Sequence, residues 1–350
     1  MTNLTELAPI TVGVDTHGET HVAAVLDHLG GVLAVASFAT TAGGYRDLLG
    51  WAAGHGTIGQ VGVEGTGAWG AGLSRHLRSE GVEVLEVCRP DRQMRRRRGK
   101  DDTIDAIAAA RTVLAGEAIG PAKDADGAME AMRVLRVVRR SATKERIASI
   151  NQLRALVTTA PENLRDQLRY LNGRRLVATT ARLRPGSTLD ATSATKIAMR
   201  ALARRIQALA DEIADYDRLL EELIVEVAPA MLEHYAVGID TASALLVAAG
   251  DNPDRLRNEA AWARLCGVAP IPASSGARHR HRLNRGGDRH ANSALWRIVL
   301  VRMGSHEPTR AYVARRTTEG LSKREIMRCL KRYVAREIYS SLPRPPLDAH

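Results

Sequence analysis

Residues 11–40, "TVGVDTHGETHVAAVLDHLGGVLAVASFAT", decide how the rest of the chain is read. "TVGVDTH", "THVAAVLD" and "VLAVASFAT" are short apolar runs rich in β-branched residues, parted by glycine-containing turns, and they predict three consecutive strands in a meander. Downstream, "GYRDLLGWAAGH" predicts a helix, "IGQVGVEG" a strand, "AWGAGLSRHLRSEG" a helix and "VEVLEVCR" a strand. A helix beginning in "GKDDTIDAIAAAR", residues 99–111, closes the series. Three meandering strands followed by alternating helices and strands is the order of an α/β ribonuclease H-like fold, a mixed sheet flanked by helices.

That order gives four acids informative places. Asp15 lies in the first strand, Glu64 ends the fourth, and Asp102 and Asp105 open the closing helix. Asp101 is placed to cap that helix, and acids in a first turn meet the positive end of the helix dipole. Asp102 and Asp105 are three apart and share a face. At roughly 5 Å and an effective dielectric near 20 they repel by on the order of 3 kcal/mol. A cation should therefore sit close by. Either the preceding run Arg95, Arg96, Arg97 and Arg98 or a divalent metal held by carboxylate oxygens can supply it. In this fold order the central strands and closing helix converge at one end of the sheet. Asp15, Glu64, Asp102 and Asp105 could then hold Mg²⁺, or Mn²⁺ in its place, for phosphoryl transfer.

The charge balance points to a polyanionic partner. The 350 residues carry a formal charge of +11, and from Pro229 onward there are 20 Lys and Arg against 11 Asp and Glu. No apolar run is long enough to span a bilayer, which favours nucleic acid over membrane. Cys88, Cys266 and Cys329 are too few and scattered for a disulfide framework or a zinc cluster, and no leader is evident. The cytoplasm is the expected compartment.

The middle of the chain is expected to be helical. Met199, Leu202, Ile206, Leu209, Ile213, Tyr216, Leu220, Leu223 and Val227 recur in steps of three and four, a coiled-coil seam. It can pair with the helical stretch at residues 128–158 or with a second subunit, and dimerisation is the expectation taken here. Beyond Pro229 the chain reads as short helices, and "VGIDTASALLVAAGD" has the look of a helix-hairpin-helix element whose turn offers N–H groups to phosphate. In "GVAPIPASSGARHRHRLNRGGDRHANSALWR", residues 267–297, Ser274, Ser275 and Gly276 precede Arg278, Arg280, Arg282, Arg285 and Arg289. A hydroxyl among guanidinium groups could attack a phosphodiester, although Ser-Ser-Gly is also ordinary loop chemistry and such arginines also make a solvated phosphate-binding face. His279 and His281 have no cysteine or close acid with which to bind metal.

Taken together, these segments resemble the DEDD transposases of the Piv/MooV type, the IS110 family of insertion sequences, over about residues 10–340. The resemblance implies a RuvC-like catalytic domain at 1–120, a helical coiled-coil region at 121–228 and a mainly α C-terminal transposase domain at 229–345. It makes Asp15, Glu64, Asp102 and Asp105 a metal-binding tetrad and Ser275 the nucleophile of a composite site, with Ser274 the alternative. It further implies a phosphoserine link to DNA, donor and target DNA as substrates, a structured bridge RNA and a homo-oligomer, dimer or tetramer. Two departures are plain: Asp240 stands where the family often has the second glycine of Gly-Ile-Gly, and "GGDRHANSAL" stands where it often has a Gly-Asn turn. A basic nucleic-acid scaffold without catalysis is the first rival. The second is an actin-like-fold ATP-dependent kinase, whose Asp-x-Gly-x-Thr spacing is broken by His17.

Overall fold

The computed structural model describes residues 8–87, 101–118, 120–122, 127–188, 190–251, 256, 258–272, 281–282, 284 and 286–343. The chain divides into two compact units, one of residues 1–127 and 250–255 and the other of 128–249 and 256–350.

The first unit opens with the meander. Strands β1 (Ile10–Thr16), β2 (Thr20–Leu26) and β3 (Val32–Ala39) pair antiparallel in sequence. Helix α1 (Ala42–Ala53), capped by the Thr41 hydroxyl accepting from the Gly44 N–H at 3.1 Å, carries the chain back to β4 (Ile58–Glu64). β4 runs parallel to β1. Helix α2 (Ala71–Ser79) then leads to β5 (Glu83–Val87), parallel to β4, and α3 (Asp102–Leu114) follows. A two-residue strand, β6 (Gly120–Pro121), pairs antiparallel with β5 and completes a sheet of order β3-β2-β1-β4-β5-β6. β6 has too few residues to show a period in the sequence, and Pro121 has no N–H to donate, which suits a sheet edge.

Burial follows from position in the sheet. Every residue of central β1 is buried, whereas edge strand β3 alternates between exposed and half-buried residues. On one face Val12, Val14, Ala23, Val25 and Val63 pack with Leu48 of α1 and Leu73 and Leu77 of α2. On the other, Ala24 and Leu26 pack with Ala106 and Ala110 of α3. The result is a mixed sheet between helical layers, the arrangement expected of a ribonuclease H-like fold. Gly13 decides how close α3 comes, because a Cβ there would run into the backbone of Ala106 and Ala110.

The second unit is built on a pair of long helices, α4 (Ala128–Thr159) and α7 (Ala191–Val227). The heptad seam of α7 faces α4 of the same chain. Met199 and Ile206 share a core with Leu153 and Val157, Leu209 and Ile213 with Ala142, and Leu220 and Ile224 with Met129 and Met132. The ascending partners of one helix meet the descending partners of the other, so the pair is an antiparallel hairpin, and Arg139 Nε donates to Asp217 Oδ1 across it at 2.5 Å. The seam expected to join subunits is filled within the chain.

Short helices α5 (Glu162–Leu168) and α6 (Gly173–Thr180) close one end of the hairpin through Leu164, Leu168 and Leu176. At the other end a 3₁₀ turn (Pro229–Glu233) leads into α8 (Ile239–Ala249), α9 (Glu259–Leu265), α10 (Arg289–Ser305), α11 (Glu307–Thr318) and α12 (Lys323–Tyr339). Trp262 anchors this cluster, wholly buried, with its indole N–H donating to the Ala335 carbonyl at 3.0 Å. Two short strands, β7 (Ile271–Pro272) and β8 (His281–Arg282), pair antiparallel. Among the described residues no helix is long and apolar enough to cross a membrane.

Candidate active site

The acids of the first unit gather at one end of its sheet, and the backbone brings them there. Asp15 is the last residue but one of β1, and Glu64 ends β4, its parallel neighbour. The Thr16 hydroxyl donates to the Glu64 carbonyl at 2.8 Å and ties the two strand ends together. Helix α3 enters over the same end. Its N-cap, Asp101, accepts from the Thr103 N–H at 2.9 Å, so the capping role belongs to Asp101 and not to the other two acids. Asp102 is half-buried and Asp105 is buried, three residues and nearly one helical turn apart.

Between strand and helix sits a residue that the acid pattern does not include. His17 Nε2 lies 3.1 Å from Asp15 Oδ2 and 3.2 Å from Asp102 Oδ1. These three side chains offer ligand atoms that all fall within 4.8 Å of one another, the convergence a metal ion needs. A signal for His17 was present: residues two apart in extended chain point to one face, and "DTH" carries that alternation one residue past the end of β1, setting Asp15 and His17 side by side. Asp102, one of the two acids expected to repel near the helix start, thus has an imidazole nitrogen within reach.

Electrostatics supports the gathering. Burial pushes the Asp15 carboxyl above its ordinary range, His17 pulls it down, and Glu64, Asp105 and Asp102 each push it up again. Asp15 is only 4% exposed, so water cannot screen these charges well. A buried carboxylate crowded by like charges and open on one side to an imidazole is a donor set that a divalent cation fits. Hard oxygen donors suit Mg²⁺ or Mn²⁺, and the cation would relieve the repulsion that adds to burial in raising Asp15.

The turn after Glu64 belongs to the same end. Gly65 takes a positive φ of 68°, and Gly70 is pressed against Val63 and the Glu64 carbonyl, so the chain doubles back tightly. Trp69, 59% exposed, projects from this turn with its ring against Gly18.

The remaining expected site residues fare differently. Arg95, Arg96, Arg97, Arg98, Ser274, Ser275, Arg278, Arg280 and Arg285 lie outside the described residues. Arg282 is in β8, and β7 and β8 set Pro272 opposite His281, on either side of the segment that contains the serines. Arg289 is the exposed first residue of α10, whose N-cap Asp288 accepts from the His290 and Ala291 N–H groups at 2.7 and 2.8 Å.

The start of α8, read from sequence as a phosphate-binding turn, is occupied from within. Asp240, where a glycine was the expected residue, is held by Arg136 at 3.0 Å, by Arg139 at 3.3 Å and by Arg297. Burial raises the Asp240 carboxyl, but Arg136, Arg297 and Arg139 outweigh it and bring it below its ordinary range. Arg136, itself buried, also donates to Ser243 Oγ at 2.5 Å. The chain's own carboxylate therefore takes the place an outside anion would have.

Comparison with known proteins meets this geometry from an independent direction. Residues 12–160, which run from β1 through α4, match the family model of the DEDD transposases of the IS110 type. Residues 229–314, from the 3₁₀ turn into α11, match the model of the transposase IS116/IS110/IS902 family. No curated protein matches the chain. The first match covers the strands and the helix that carry the four acids, and the second covers the segment with the serines and arginines. With both parts matched in the order the resemblance requires, the chain belongs to the IS110 family of transposases and is a DNA transposase.

Proposed function

We propose that this transposase cuts and rejoins DNA with a divalent metal at Asp15, Glu64, Asp102 and Asp105 and with Ser275 as nucleophile, Ser274 being the alternative. The observation that carries the reading is the approach of ligand atoms of Asp15, His17 and Asp102 to within 4.8 Å of one another, at the end of the sheet where Glu64 and Asp105 also raise the Asp15 carboxyl. Mg²⁺ is the proposed ion, with Mn²⁺ able to replace it. Such an ion supplies positive charge against the phosphoryl oxygens of the strand being cut.

The chain's own groups then have distinct tasks. Asp15 and Asp102 would provide oxygen ligands from strand and helix, and Glu64 and Asp105 would complete the negative lining around a divalent cation. In the cleavage step the serine oxygen bonds to phosphorus as the phosphorus–oxygen bond of the DNA strand breaks. The serine proton is lost and the released DNA oxygen gains one. Because one phosphodiester replaces another, the reverse step rejoins DNA without ATP. Arg278, Arg280, Arg282, Arg285 and Arg289 supply positive charge along the nucleic acid, as do Arg95–Arg98, which precede α3 in the sequence. A structured guide RNA pairing with donor and target DNA, assembly as a dimer or tetramer, action in the cytoplasm and the division 1–120, 121–228 and 229–345 belong to the same proposal.

Incubation with labelled substrate DNA, guide RNA and Mg²⁺ tests it. A denaturant-stable protein–DNA adduct should form in the wild type, be absent in Ser275→Ala and persist in Ser274→Ala. Cleavage undiminished by excess chelator removes the metal from the mechanism. An adduct that survives Ser275→Ala removes that serine.

A further inference from the structure

We propose that His17 is itself a metal ligand, which makes the cation position between β1 and α3 a mixed nitrogen and oxygen site that takes Mn²⁺ in preference to Mg²⁺. The inference rests on the carboxylate site described above and goes beyond it in naming an imidazole that the four-acid pattern leaves out.

Three features of the geometry support it. First, one ring nitrogen faces two carboxylates that come from different elements, Asp15 from β1 and Asp102 from α3, at 3.1 and 3.2 Å. A single N–H aligns well with at most one of two separated acceptors, so as a hydrogen-bond donor His17 serves one of them poorly. With Nε2 unprotonated, the same nitrogen can join both carboxylate oxygens in holding one cation. Second, the spacings are of the right order. Neighbouring ligands of an octahedral ion with bonds of about 2.0–2.1 Å stand about 2.8–3.0 Å apart, slightly less than the two nitrogen–oxygen distances of 3.1 and 3.2 Å. Third, the group is anchored. Asp15 is buried in the fully buried strand β1, and the His17 N–H donates to the Thr20 carbonyl at 3.2 Å while its carbonyl accepts from the Thr40 hydroxyl at 3.2 Å. The imidazole is thus carried by backbone held on both sides.

Donor type sets the preference. Mg²⁺ is strongly oxygen-seeking and keeps its waters; Mn²⁺ also takes oxygen ligands but, as a first-row transition ion, gains more from a nitrogen donor than Mg²⁺ does. A nitrogen at this position costs Mg²⁺ more than Mn²⁺. The bland alternative is that His17 merely hydrogen-bonds the acids and leaves the ion to oxygen atoms alone.

Electron spin-echo spectroscopy of the full-length protein with one equivalent of Mn²⁺ distinguishes the two without any activity measurement. The expected result is a ¹⁴N modulation from a directly bound imidazole, lost in His17→Gln, with Mn²⁺ affinity reduced at least about tenfold in that variant and Mg²⁺ affinity changed much less. If Mn²⁺ binds the wild type and is displaced by Asp15→Asn but shows no nitrogen coupling, the His17 proposal is overturned while the carboxylate site stands. Nitrogen coupling that survives in both His17→Gln and His17→Ala places the ion on another histidine and overturns it as well. Wild-type protein that binds no Mn²⁺ overturns both readings together.

Discussion

Gly13 of β1 lies so close beneath Ala110 of α3 that no side chain fits between them. This contact lets the helix cross the central strand and bring Asp102 toward Asp15. Gly13→Ala should force helix and strand apart and cost about 3 kcal/mol or more, because backbone atoms cannot yield as a flexible side chain can. Urea denaturation of the variant checks the figure. A loss below about 1 kcal/mol would show that the helix shifts freely.

Asp102→Ala and Asp105→Ala are each expected to abolish DNA strand cleavage and to leave nucleic-acid affinity within about threefold of wild type, because affinity rests on basic groups that displace counterions. Cleavage assays and filter binding on the same preparations separate the two effects. Full cleavage by either variant removes that acid from the site.

The raised Asp15 carboxyl has a defined consequence for stability. Its folded value lies above the unfolded one of about 4, so the protonated form favours the fold. In metal-free protein this stabilisation is present below the unfolded value and is lost as pH rises through the folded one. Asp15→Asn should therefore raise the melting temperature of metal-free protein at pH 7 and change it less at pH 3.5. Calorimetry at the two pH values decides, and an equal shift at both would mean that charge is not the cause.

Asp240 works in the opposite sense. Its folded value is lowered by Arg136, Arg297 and Arg139 against the effect of burial, so its stabilisation is present above the unfolded value of about 4 and is lost as pH falls through the folded one. Asp240→Ala leaves buried Arg136 without its carboxylate and should cost about 3–5 kcal/mol at pH 7. The same variant should show a flatter loss of stability below pH 4. Chemical denaturation across that range measures both.

Replacing Ile213 and Leu220 by Asp would put two charges into the seam between α4 and α7 at a cost of several kcal/mol. The expected outcome is loss of helical signal on mild heating, because the seam holds the hairpin together. A folded variant with a smaller assembly by light scattering would instead mean that the seam joins subunits.

Much of the first unit was legible because its signals are local. The three strands at 11–40, the helix capped by Thr41 and the capping role of Asp101 all follow from periodicity and side-chain chemistry within a few residues. β6 was not legible, since two residues carry no period and their pairing with β5 depends on where the chain has already been led. The heptad seam of α7 was legible as apolar and helical. Its partner was not, because Leu, Ile and Met on one face pack equally well against a helix of the same chain or of another.

The sequence by itself determined the order of strands and helices, the basic balance of the chain and the family to which those segments point, because each depends on residue type and spacing along the chain. Only the tertiary structure decided that His17 stands between Asp15 and Asp102, and that Asp240 is claimed by Arg136, Arg139 and Arg297. Arg136 and Asp240 lie 104 residues apart, and His17, just past the end of β1, and Asp102, the first residue of α3, are separated by most of a domain. Such meetings depend on how close α3 approaches β1 and how α4 lies against α8. Those distances are set by Gly13, by the packed seams and by charges that must find partners once water is excluded.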